Sequence, residues 1–145
     1  MSNIPRRSPQ EVQKLVTEEG YVHVDVRTQA EYDAGHPAGA INVPSMFAGP
    51  GGMTPNPDFE KIMNALFAKD AKIVLGCRSG ARSLRAAELL THHGYTGIVD
   101  QRAGFEGPRD PSGRMIEPGW GAAGLPVEKV TPGGSYAEIK AKAGL

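Results

Sequence analysis

Strand-like segments alternate with amphipathic helical segments along this chain, and this order limits the folds that the chain can adopt. The apolar run Lys72–Leu75 has the character of a strand that is buried on both faces. The segment Asp58–Lys69 places its apolar side chains on one face, as an amphipathic helix does. Because alternating strands and helices form right-handed βαβ units, the sequence predicts an α/β fold whose parallel sheet is covered on both faces.

Capping residues, glycines and prolines mark the ends of the predicted elements. Ser8 and Glu11 match a capping box, and Gly20 ends the helix that Ser8 begins. Further helices are predicted over Gln29–Ala34, Asp58–Lys69, Ala81–His93 and Ser135–Ala143. Strands are predicted over Tyr21–Val26, Ala40–Val43, Lys72–Leu75 and Gly97–Val99. Two segments rich in glycine and proline are predicted to be irregular loops, Ser45–Pro57 and Ala103–Pro126.

The length and the charge balance argue against several classes of protein. A chain of 145 residues can bury one core but hardly two, so we expect a single domain. Its 16 Lys and Arg residues balance 16 Asp and Glu residues, which argues against a general binder of nucleic acid or of a membrane surface. We find neither a signal-peptide core nor an apolar segment long enough to span a membrane, so the expected location is the cytoplasm.

The chain contains 1 cysteine, Cys77. A single cysteine excludes a disulfide within the chain, a Cys-x-x-Cys redox pair and a zinc site built from several cysteines. Considered without its neighbours, a lone cysteine is more often a small buried apolar residue than a reactive group.

The neighbours of Cys77 favour a reactive thiolate instead. Cys77 lies between the strand Lys72–Leu75 and the helix Ala81–His93, in the sequence Gly-Cys-Arg-Ser-Gly-Ala-Arg. A tight turn from strand to helix directs backbone N–H groups at one point, and the helix N-terminus adds about half a positive charge there. Arg78 and Arg82 add two cationic side chains. Because these features stabilise an anion, the sequence predicts that Cys77 is a nucleophile.

No histidine is tied to Cys77 by a local signature. His23 falls in a predicted strand, His36 in a loop, and His92 and His93 at the end of a helix. Papain-like acyl transfer needs a histidine paired with the cysteine, and scattered histidines with one cysteine make a poor metal site. We therefore expect no chemistry of that kind, no metal and no cofactor.

Two reactions suit a thiolate in an anion-binding loop. One is hydrolysis of a phosphate ester through a phosphocysteine, and the other is transfer of a sulfane sulfur through a persulfide. Cysteine phosphatases have the pattern Cys-x5-Arg, whereas Arg82 gives Cys-x4-Arg here and Ser83 occupies the next position. The shorter loop encloses a smaller anion pocket, which favours sulfur transfer.

Four segments, taken in order, resemble the rhodanese domain, a family of single-domain sulfurtransferases, over roughly Ser8 to Val127. They are Val24–Tyr32 (similar to Asp-x-Arg-x-x-x-Glu-[Phe/Tyr]), Gly35–Pro44 (similar to Gly-His-Ile-x-Gly-Ala-x-Asn-x-Pro), the loop Cys77–Arg82, and Gly94–Tyr95 with the closing Gly124–Val127. The resemblance implies a three-layer α/β/α fold with a central parallel sheet of about five strands. We expect one rhodanese-like domain over residues 8–130, followed by a C-terminal tail with a short helix over residues 131–145.

The resemblance also implies roles for the loop residues. Cys77 is implied to be the nucleophile that holds the sulfur as a persulfide. The backbone N–H groups implied to cradle that sulfur, or the anionic end of the donor, are those of Arg78, Ser79, Gly80, Ala81 and Arg82. The Arg78 and Arg82 side chains are expected to attract an anionic donor such as thiosulfate.

Four more residues match family positions near the site, namely Asp25, Arg27, Glu31 and His36. Arg27 is expected either to contact the substrate or to form a structural ion pair, for instance with Glu31 four residues further on. Asp25 is expected to be structural. His36 is expected to be a buried hydrogen-bonding residue rather than a catalytic one.

The segment 106–119 departs from the family pattern, because it adds about a dozen residues between Phe105 and Trp120. It carries Arg109 and Arg114, and in this fold it should lie on the same edge as the Cys77 loop. We expect a lid or a partner-docking loop over Cys77. A neutral surface insertion is the open alternative.

The sequence thus predicts an enzyme of the thiosulfate sulfurtransferase type with ping-pong kinetics. It would move a sulfane sulfur from thiosulfate, or from a persulfide or polysulfide donor, to cyanide or a thiol acceptor. The expected partners are a small anionic donor and a thiol or protein acceptor, and the expected state is a monomer or homodimer. Two alternatives stay open, a persulfide carrier for a partner protein and, less favoured by the loop length, a cysteine-dependent phosphatase or arsenate reductase.

Overall fold

The computed structural model describes residues 3–145 of the chain. Its strands are β1 (Arg6–Arg7), β2 (Val22–Asp25), β3 (His36–Pro37), β4 (Ile41–Asn42), β5 (Met46–Gly49), β6 (Gly52–Pro55), β7 (Ile73–Gly76), β8 (Ile98–Gln101) and β9 (Val127–Glu128). Its helices are α1 (Pro9–Glu18), α2 (Gln29–Ala34), α3 (Phe59–Leu66), α4 (Ala81–His92) and α5 (Tyr136–Lys142).

A five-stranded parallel sheet with the strand order β1-β8-β7-β2-β4 forms the centre of the fold. The register pairs Val24 with Leu75, and Leu75 in turn with Asp100. The α/β prediction with a parallel sheet of about five strands is therefore confirmed.

Alternate residues of the central strands point into two cores on opposite faces of the sheet. Ile73 and Leu75 pack with side chains of α3, α4 and α5 on one face. Val74 packs with Val12 of α1 and with Trp120 on the other face. A strand buried on both sides needs apolar residues at every position, which explains the continuous apolar run in β7.

Three helices begin with reciprocal side-chain caps. The hydroxyls of Ser8, Thr28 and Ser135 each accept a hydrogen bond from a backbone N–H three residues later, and the glutamate at that position accepts one from the capping residue. Each such cap stabilises a helix end by about 1 kcal/mol. These caps fix where α1, α2 and α5 begin, and the capping box predicted from sequence at Ser8 and Glu11 is confirmed.

The structure corrects the predicted loop Ser45–Pro57. Its ends form an antiparallel hairpin, β5 with β6, in which Phe47 pairs with Thr54. Both strands lie at the surface, so they carry no buried alternating pattern that a sequence analysis would detect. The short strand β1 was missed for a related reason, since two exposed arginines do not resemble a strand.

The C-terminal segment 131–145 contains the expected short helix, α5. It does not extend from the domain as a tail, because Tyr136 and Ile139 are buried in the same core as the central strands. The Tyr136 hydroxyl oxygen also accepts a hydrogen bond from the Asn56 Nδ2, at 3.0 Å. The segment is therefore part of the hydrophobic core.

Within residues 3–145, no helix has the length and apolar character that crossing a membrane requires.

Candidate active site

Cys77 directly follows β7 and lies at the carboxyl edge of the parallel sheet. It is 3% exposed and lines a narrow cavity of about 10 Å³, roughly the room that one water molecule needs. The residues that line this cavity are His23, Asp25, Arg27, Pro37, Gly76, Cys77, Gln101 and Phe105. Asp25, Gly76 and Gln101 are the last residues of the adjacent strands β2, β7 and β8, the edge where ligands bind in open parallel sheets.

The loop Cys77–Arg82 wraps around the sulfur and leads into α4. The Gly80 backbone N–H donates to the Cys77 Sγ over 3.1 Å. The thiol is 3.3 Å from the buried Ser83 Oγ, to which it donates in the neutral state. Because α4 begins at Ala81, the positive end of its dipole lies beside the sulfur. The loop therefore surrounds the thiol with groups that stabilise negative charge.

A second turn, Ala103–Glu106, is hydrogen-bonded to the loop Cys77–Arg82. The Phe105 N–H donates to the Cys77 carbonyl over 2.7 Å, and the Glu106 N–H donates to the Arg78 carbonyl over 2.9 Å. In a trans peptide the C=O and the N–H point in opposite directions. Since both carbonyls point at this turn, the N–H groups of Arg78 and Ser79 point away from it.

Gly104 allows the two turns to approach each other. A Cβ at this position would lie 2.4 Å from the Arg78 carbonyl carbon and 2.6 Å from the Ser79 nitrogen, and Gly104 has a φ of +72°. The Gln101 side chain fixes the turn, because its oxygen accepts from Ala103 N and Gly104 N. These contacts are not predictable from the sequence, since nothing local signals that Gly104 packs against the Cys77 loop.

Arg82 forms a two-pronged ion pair with Glu31 of α2. The distances from its Nη1 and Nη2 to the two carboxylate oxygens are 2.8 and 2.9 Å. Burial opposes ionisation of Glu31, but the hydrogen bonds from Arg82 and Thr28 outweigh it and lower the pKa of Glu31 to about 2. The same pair raises the pKa of Arg82, with a smaller contribution from Cys77. The suggested pairing of Glu31 with Arg27 is therefore wrong.

Arg27 pairs instead with Asp25, and both side chains are buried. The Arg27 Nη2 is 2.8 Å from Asp25 Oδ2 and 2.6 Å from the Gly35 carbonyl oxygen. The Phe105 ring lies over the guanidinium at 4.4 Å. A buried charge is stable only when it is paired and hydrogen-bonded, and Arg27 meets that condition on the wall of the Cys77 cavity.

His36 is fully buried and lies away from the lining of that cavity. Its Nδ1 is 2.8 Å from the Tyr32 carbonyl oxygen and its Nε2 is 2.8 Å from the Thr131 hydroxyl. Its ring also stacks on the Tyr32 ring, with centroids 3.6 Å apart. These contacts tie α2 to the segment after β9.

The three other arginines named from the sequence, Arg78, Arg109 and Arg114, lie further out. Arg78 is 60% exposed and pairs with Glu106 at 3.0 Å. Arg109 donates to the Gly113 carbonyl within the insertion, and neither Arg109 nor Arg114 lines the Cys77 cavity. The insertion contacts the loop Cys77–Arg82 through its first residue, Glu106, rather than through Arg109 or Arg114.

The insertion is a compact hairpin whose two ends, at Gly107 and Gly119, form a narrow neck. Gly107 and Gly119 pass each other closely, since a Cβ on Gly107 would lie 2.9 Å from the Gly119 nitrogen. Beyond the neck, Arg109 bridges to Met115, and the Asp110 carboxylate accepts from Ser112 N and Arg114 N. Because the two ends of the hairpin lie this close together, Glu106 can be joined directly to Gly119 in a chain from which the hairpin is deleted.

A larger cavity of about 430 Å³ lies beside the end of the loop Cys77–Arg82. Arg82 and Ala81 form one wall, and apolar side chains of the β5–β6 hairpin and of α4 form the others. Cys77 does not line it. Within residues 3–145, no three His, Cys, Asp or Glu side chains are placed together so that they would hold a metal ion.

His23 is a cavity residue whose position the sequence analysis did not use. It is buried between the Trp120 ring, 5.1 Å away between centroids, and Gly76. Burial lowers the pKa of His23 to about 4, and the nearby His36 and Arg27 side chains act in the same direction. His23 is therefore neutral at pH 7 and contributes a polar but uncharged wall to the cavity.

Acid should destabilise the protein through His23. The unfolded chain takes up this proton near the ordinary pKa of 6.5, whereas the folded chain takes it up only near 4. The free energy of unfolding should thus fall between these values by about 3 kcal/mol in total. Denaturant titrations at pH 7 and pH 5 should give a smaller difference for His23→Phe than for the unchanged protein. Equal differences would show that His23 does not titrate in this way.

Comparison with known families and proteins gives a consistent result. A family model described as "Rhodanese-like domain" matches residues 8–108. The protein named thiosulfate sulfurtransferase 16, chloroplastic, from Arabidopsis thaliana is 38% identical over 109 residues, which cover 75% of this chain and 81% of that protein. Senescence-associated protein DIN1 from Raphanus sativus is 40% identical over 104 residues, which cover 72% of this chain and 57% of that protein.

A solved structure with a similar fold is also known. The crystal structure of Rv0390 from M. tuberculosis has a TM-score of 0.70 and 31% sequence identity, over 89% of this chain and 100% of that one. The matched region spans little more than half of the radish protein. Several relatives are named as chloroplastic, and the cytoplasmic location stays a prediction from sequence.

Proposed function

The chain belongs to the rhodanese-like domain family, and on this basis we propose that it is a sulfurtransferase of the thiosulfate type. Cys77 would take a sulfane sulfur from an anionic donor, hold it as a persulfide, and pass it to an acceptor. The relative named thiosulfate sulfurtransferase supports this class of reaction. The observation that carries the proposal is the position of the Cys77 thiol, 3.1 Å from the Gly80 N–H and beside the N-terminus of α4.

In the first half-reaction, the Cys77 thiolate attacks the outer sulfur of thiosulfate. A bond forms between the Cys77 Sγ and that sulfur, while the bond to the sulfonate sulfur breaks and its electron pair leaves with sulfite. The products are the cysteine persulfide anion and sulfite, so the total charge is unchanged. The N–H groups of the loop would hold the persulfide charge, because they are fixed before the reaction and need not reorganise.

In the second half-reaction, cyanide or a thiolate attacks the outer sulfur of the persulfide. That sulfur leaves as thiocyanate or as a new persulfide, and the Cys77 thiolate is restored as the leaving group. With 1 cysteine in the chain, no second thiol of the same chain can receive the sulfur. The acceptor must therefore be another molecule, which predicts ping-pong kinetics.

The narrow cavity supports a role for Phe105 in access to Cys77. The cavity has room for about one water molecule, whereas thiosulfate is larger. The Phe105 ring lines the cavity and lies over the Arg27 guanidinium. Rotation of this ring would open the cavity and uncover the Arg27 guanidinium for the sulfonate group of the donor. Arg78, which is exposed, would draw the anion toward the opening.

The hairpin 107–118 is proposed to act as a lid or as a docking loop for the acceptor. It continues directly from Phe105 and Glu106, which contact the catalytic loop. A deletion of Gly107–Pro118 that joins Glu106 to Gly119 should raise the KM of the donor or of a thiol acceptor several-fold, because it removes the segment that would cover the site or bind the acceptor. Steady-state kinetics with varied donor and acceptor check this. Unchanged kinetics for both would make the hairpin a neutral insertion.

A donor and acceptor panel tests the proposed function. The purified chain should form thiocyanate from thiosulfate and cyanide faster than from 3-mercaptopyruvate and cyanide, because the loop is cationic at Arg78. Double-reciprocal plots at several cyanide concentrations should be parallel. A chain that loads with sulfur but releases it slowly to small acceptors would be a persulfide carrier for a partner protein. Hydrolysis of an aryl phosphate without thiocyanate formation would overturn the proposal in favour of a phosphatase.

A further inference from the structure

We propose that Arg6 is a positioning residue for the Cys77 loop: it holds the Gly80 carbonyl and thereby fixes the direction of the Ala81 N–H. The inference deepens the proposed function, because that N–H belongs to the group that would stabilise the sulfur anion. Arg6 lies before residue 8, where the family match begins. Arg6 lies in β1, a short strand that the sequence analysis does not predict.

Arg6 is held in place by its own backbone and by an ion pair. The Pro5 carbonyl accepts from Asp100 N at 2.9 Å, and the Arg7 carbonyl accepts from Arg102 N at 3.0 Å, so β1 is hydrogen-bonded on both sides of Arg6. The Arg6 Nε is 2.7 Å from Asp100 Oδ2. This pair leaves the other end of the guanidinium fork free to reach the catalytic loop.

The other end of the fork reaches Gly80. The Arg6 Nη2 donates to the Gly80 carbonyl over 3.2 Å. Gly80 also donates its own N–H to the Cys77 Sγ. Since the peptide that joins Gly80 to Ala81 is planar and trans, fixing its C=O on the Arg6 side directs its N–H to the opposite side. The Gly80 residue is thus held at both ends, by the sulfur and by Arg6.

Arg6 adds to a set of hydrogen bonds that hold the backbone carbonyls of the Cys77 loop. The Cys77 and Arg78 carbonyls are already held by the Phe105 and Glu106 N–H groups. The Gly80 carbonyl is the next one that is held, by Arg6, by the Leu84 N–H of the first helical turn at 3.3 Å and by the Ser83 hydroxyl at 3.5 Å. An arginine suits this position because its rigid fork serves two acceptors at once, whereas a lysine ammonium presents a single point of charge.

The buried Asp100 carboxylate explains why a positively charged side chain is needed at position 6. Its carboxylate is fully buried, and burial raises its pKa although Arg6 and Ser83 counteract this. Its Oδ1 has no hydrogen-bond partner among the described residues. Without Arg6, Asp100 would be left as a buried and uncompensated charge next to the start of α4.

The test measures ionisation of Cys77 directly. The ultraviolet absorbance of the thiolate is recorded against pH, with Cys77→Ser as the blank, so that the difference reports the chain's one cysteine. Arg6→Gln should move the midpoint of this titration upward and lower the thiolate fraction at neutral pH several-fold. Arg6→Lys, which keeps the charge but not the fork, should move it in the same direction. Arg7→Gln, on the same exposed strand, is the matched control and should leave the midpoint unchanged.

The outcomes separate the possible roles. If Arg6→Gln lowers only the melting temperature and leaves the titration unchanged, Arg6 is structural and the inference fails. If Arg6→Lys restores the midpoint fully, charge alone acts and orientation of the peptide is excluded. Should Arg6→Gln not fold because Asp100 is unpaired, the double variant Arg6→Gln/Asp100→Asn carries the same measurement. The titration needs no sulfur transfer, so a shifted midpoint in a chain without transferase activity would refute only the proposed function.

Discussion

Cys77→Ser is expected to lower the rate of thiocyanate formation from thiosulfate and cyanide by about 10³-fold or more. A serine hydroxyl remains protonated where a thiol ionises, and it forms no persulfide. The substitution removes the nucleophile but keeps its surroundings, because a hydroxyl can accept from the Gly80 N–H and donate to the Ser83 Oγ in place of the thiol. Steady-state assays with saturating thiosulfate check this expectation.

The fold should survive this change. Cys77 is buried but small, and both hydrogen-bond partners of its sulfur, the Gly80 N–H and the Ser83 Oγ, can also bond to a serine hydroxyl. We expect a melting temperature within a few degrees of that of the unchanged chain, in line with a cost of about 1 kcal/mol or less. Residual thiocyanate formation at the original rate would show that the sulfur passes through some other group, or that donor and acceptor react without a covalent intermediate.

Gly80→Ala is expected to damage both the stability and the activity. A Cβ on Gly80 would lie 2.3 Å from the Arg102 carbonyl oxygen and 3.0 Å from the Arg6 Nη2, and Gly80 has a φ of +100°. Backbone cannot give way as a flexible side chain does, so the loop must move. We expect a loss of about 3 kcal/mol in the free energy of unfolding. A shift of about 1 Å at the sulfur should lower kcat/KM by about 10²-fold.

Gly20→Ala provides the matched control. Gly20 also has a positive φ, +75°, but a Cβ there would have no heavy atom within 4 Å. Gly20→Ala should therefore cost only the free energy of holding an alanine at a positive φ, about 1 kcal/mol. Gly20 lies at the end of α1, away from Cys77. Chemical denaturation and kinetics of both variants separate the two effects. Equal losses in the two variants would mean that close packing of Gly80 against Arg102 and Arg6 is unimportant.

The sequence is sufficient for the elements whose residues are buried. The run Ile73–Gly76 is apolar because it lies in the middle of the sheet, and Ser8, Thr28 and Ser135 mark helix starts because their caps are local. The position of Cys77 between β7 and α4 follows from the same patterns. In each case the physical cause acts within a few neighbouring residues or repeats along the strand.

The remaining features depend on contacts between distant parts of the chain. Glu31 forms an ion pair with Arg82, 51 positions away, and not with the nearer Arg27, because Arg27 is already paired with Asp25. Gly104 packs on the catalytic loop and Arg6 reaches Gly80, and neither contact leaves a local signal. The hairpin of β5 and β6 is exposed, so burial imposes no pattern on it.

The central claim is that Cys77 accepts a sulfane sulfur as a persulfide. The intact mass of the chain, measured after incubation with thiosulfate and removal of excess donor, tests it most directly. We predict a gain of one sulfur atom that fragmentation assigns to Cys77, that cyanide removes, and that Cys77→Ser does not show. No gain of mass, or a gain that persists in Cys77→Ser, would contradict the claim.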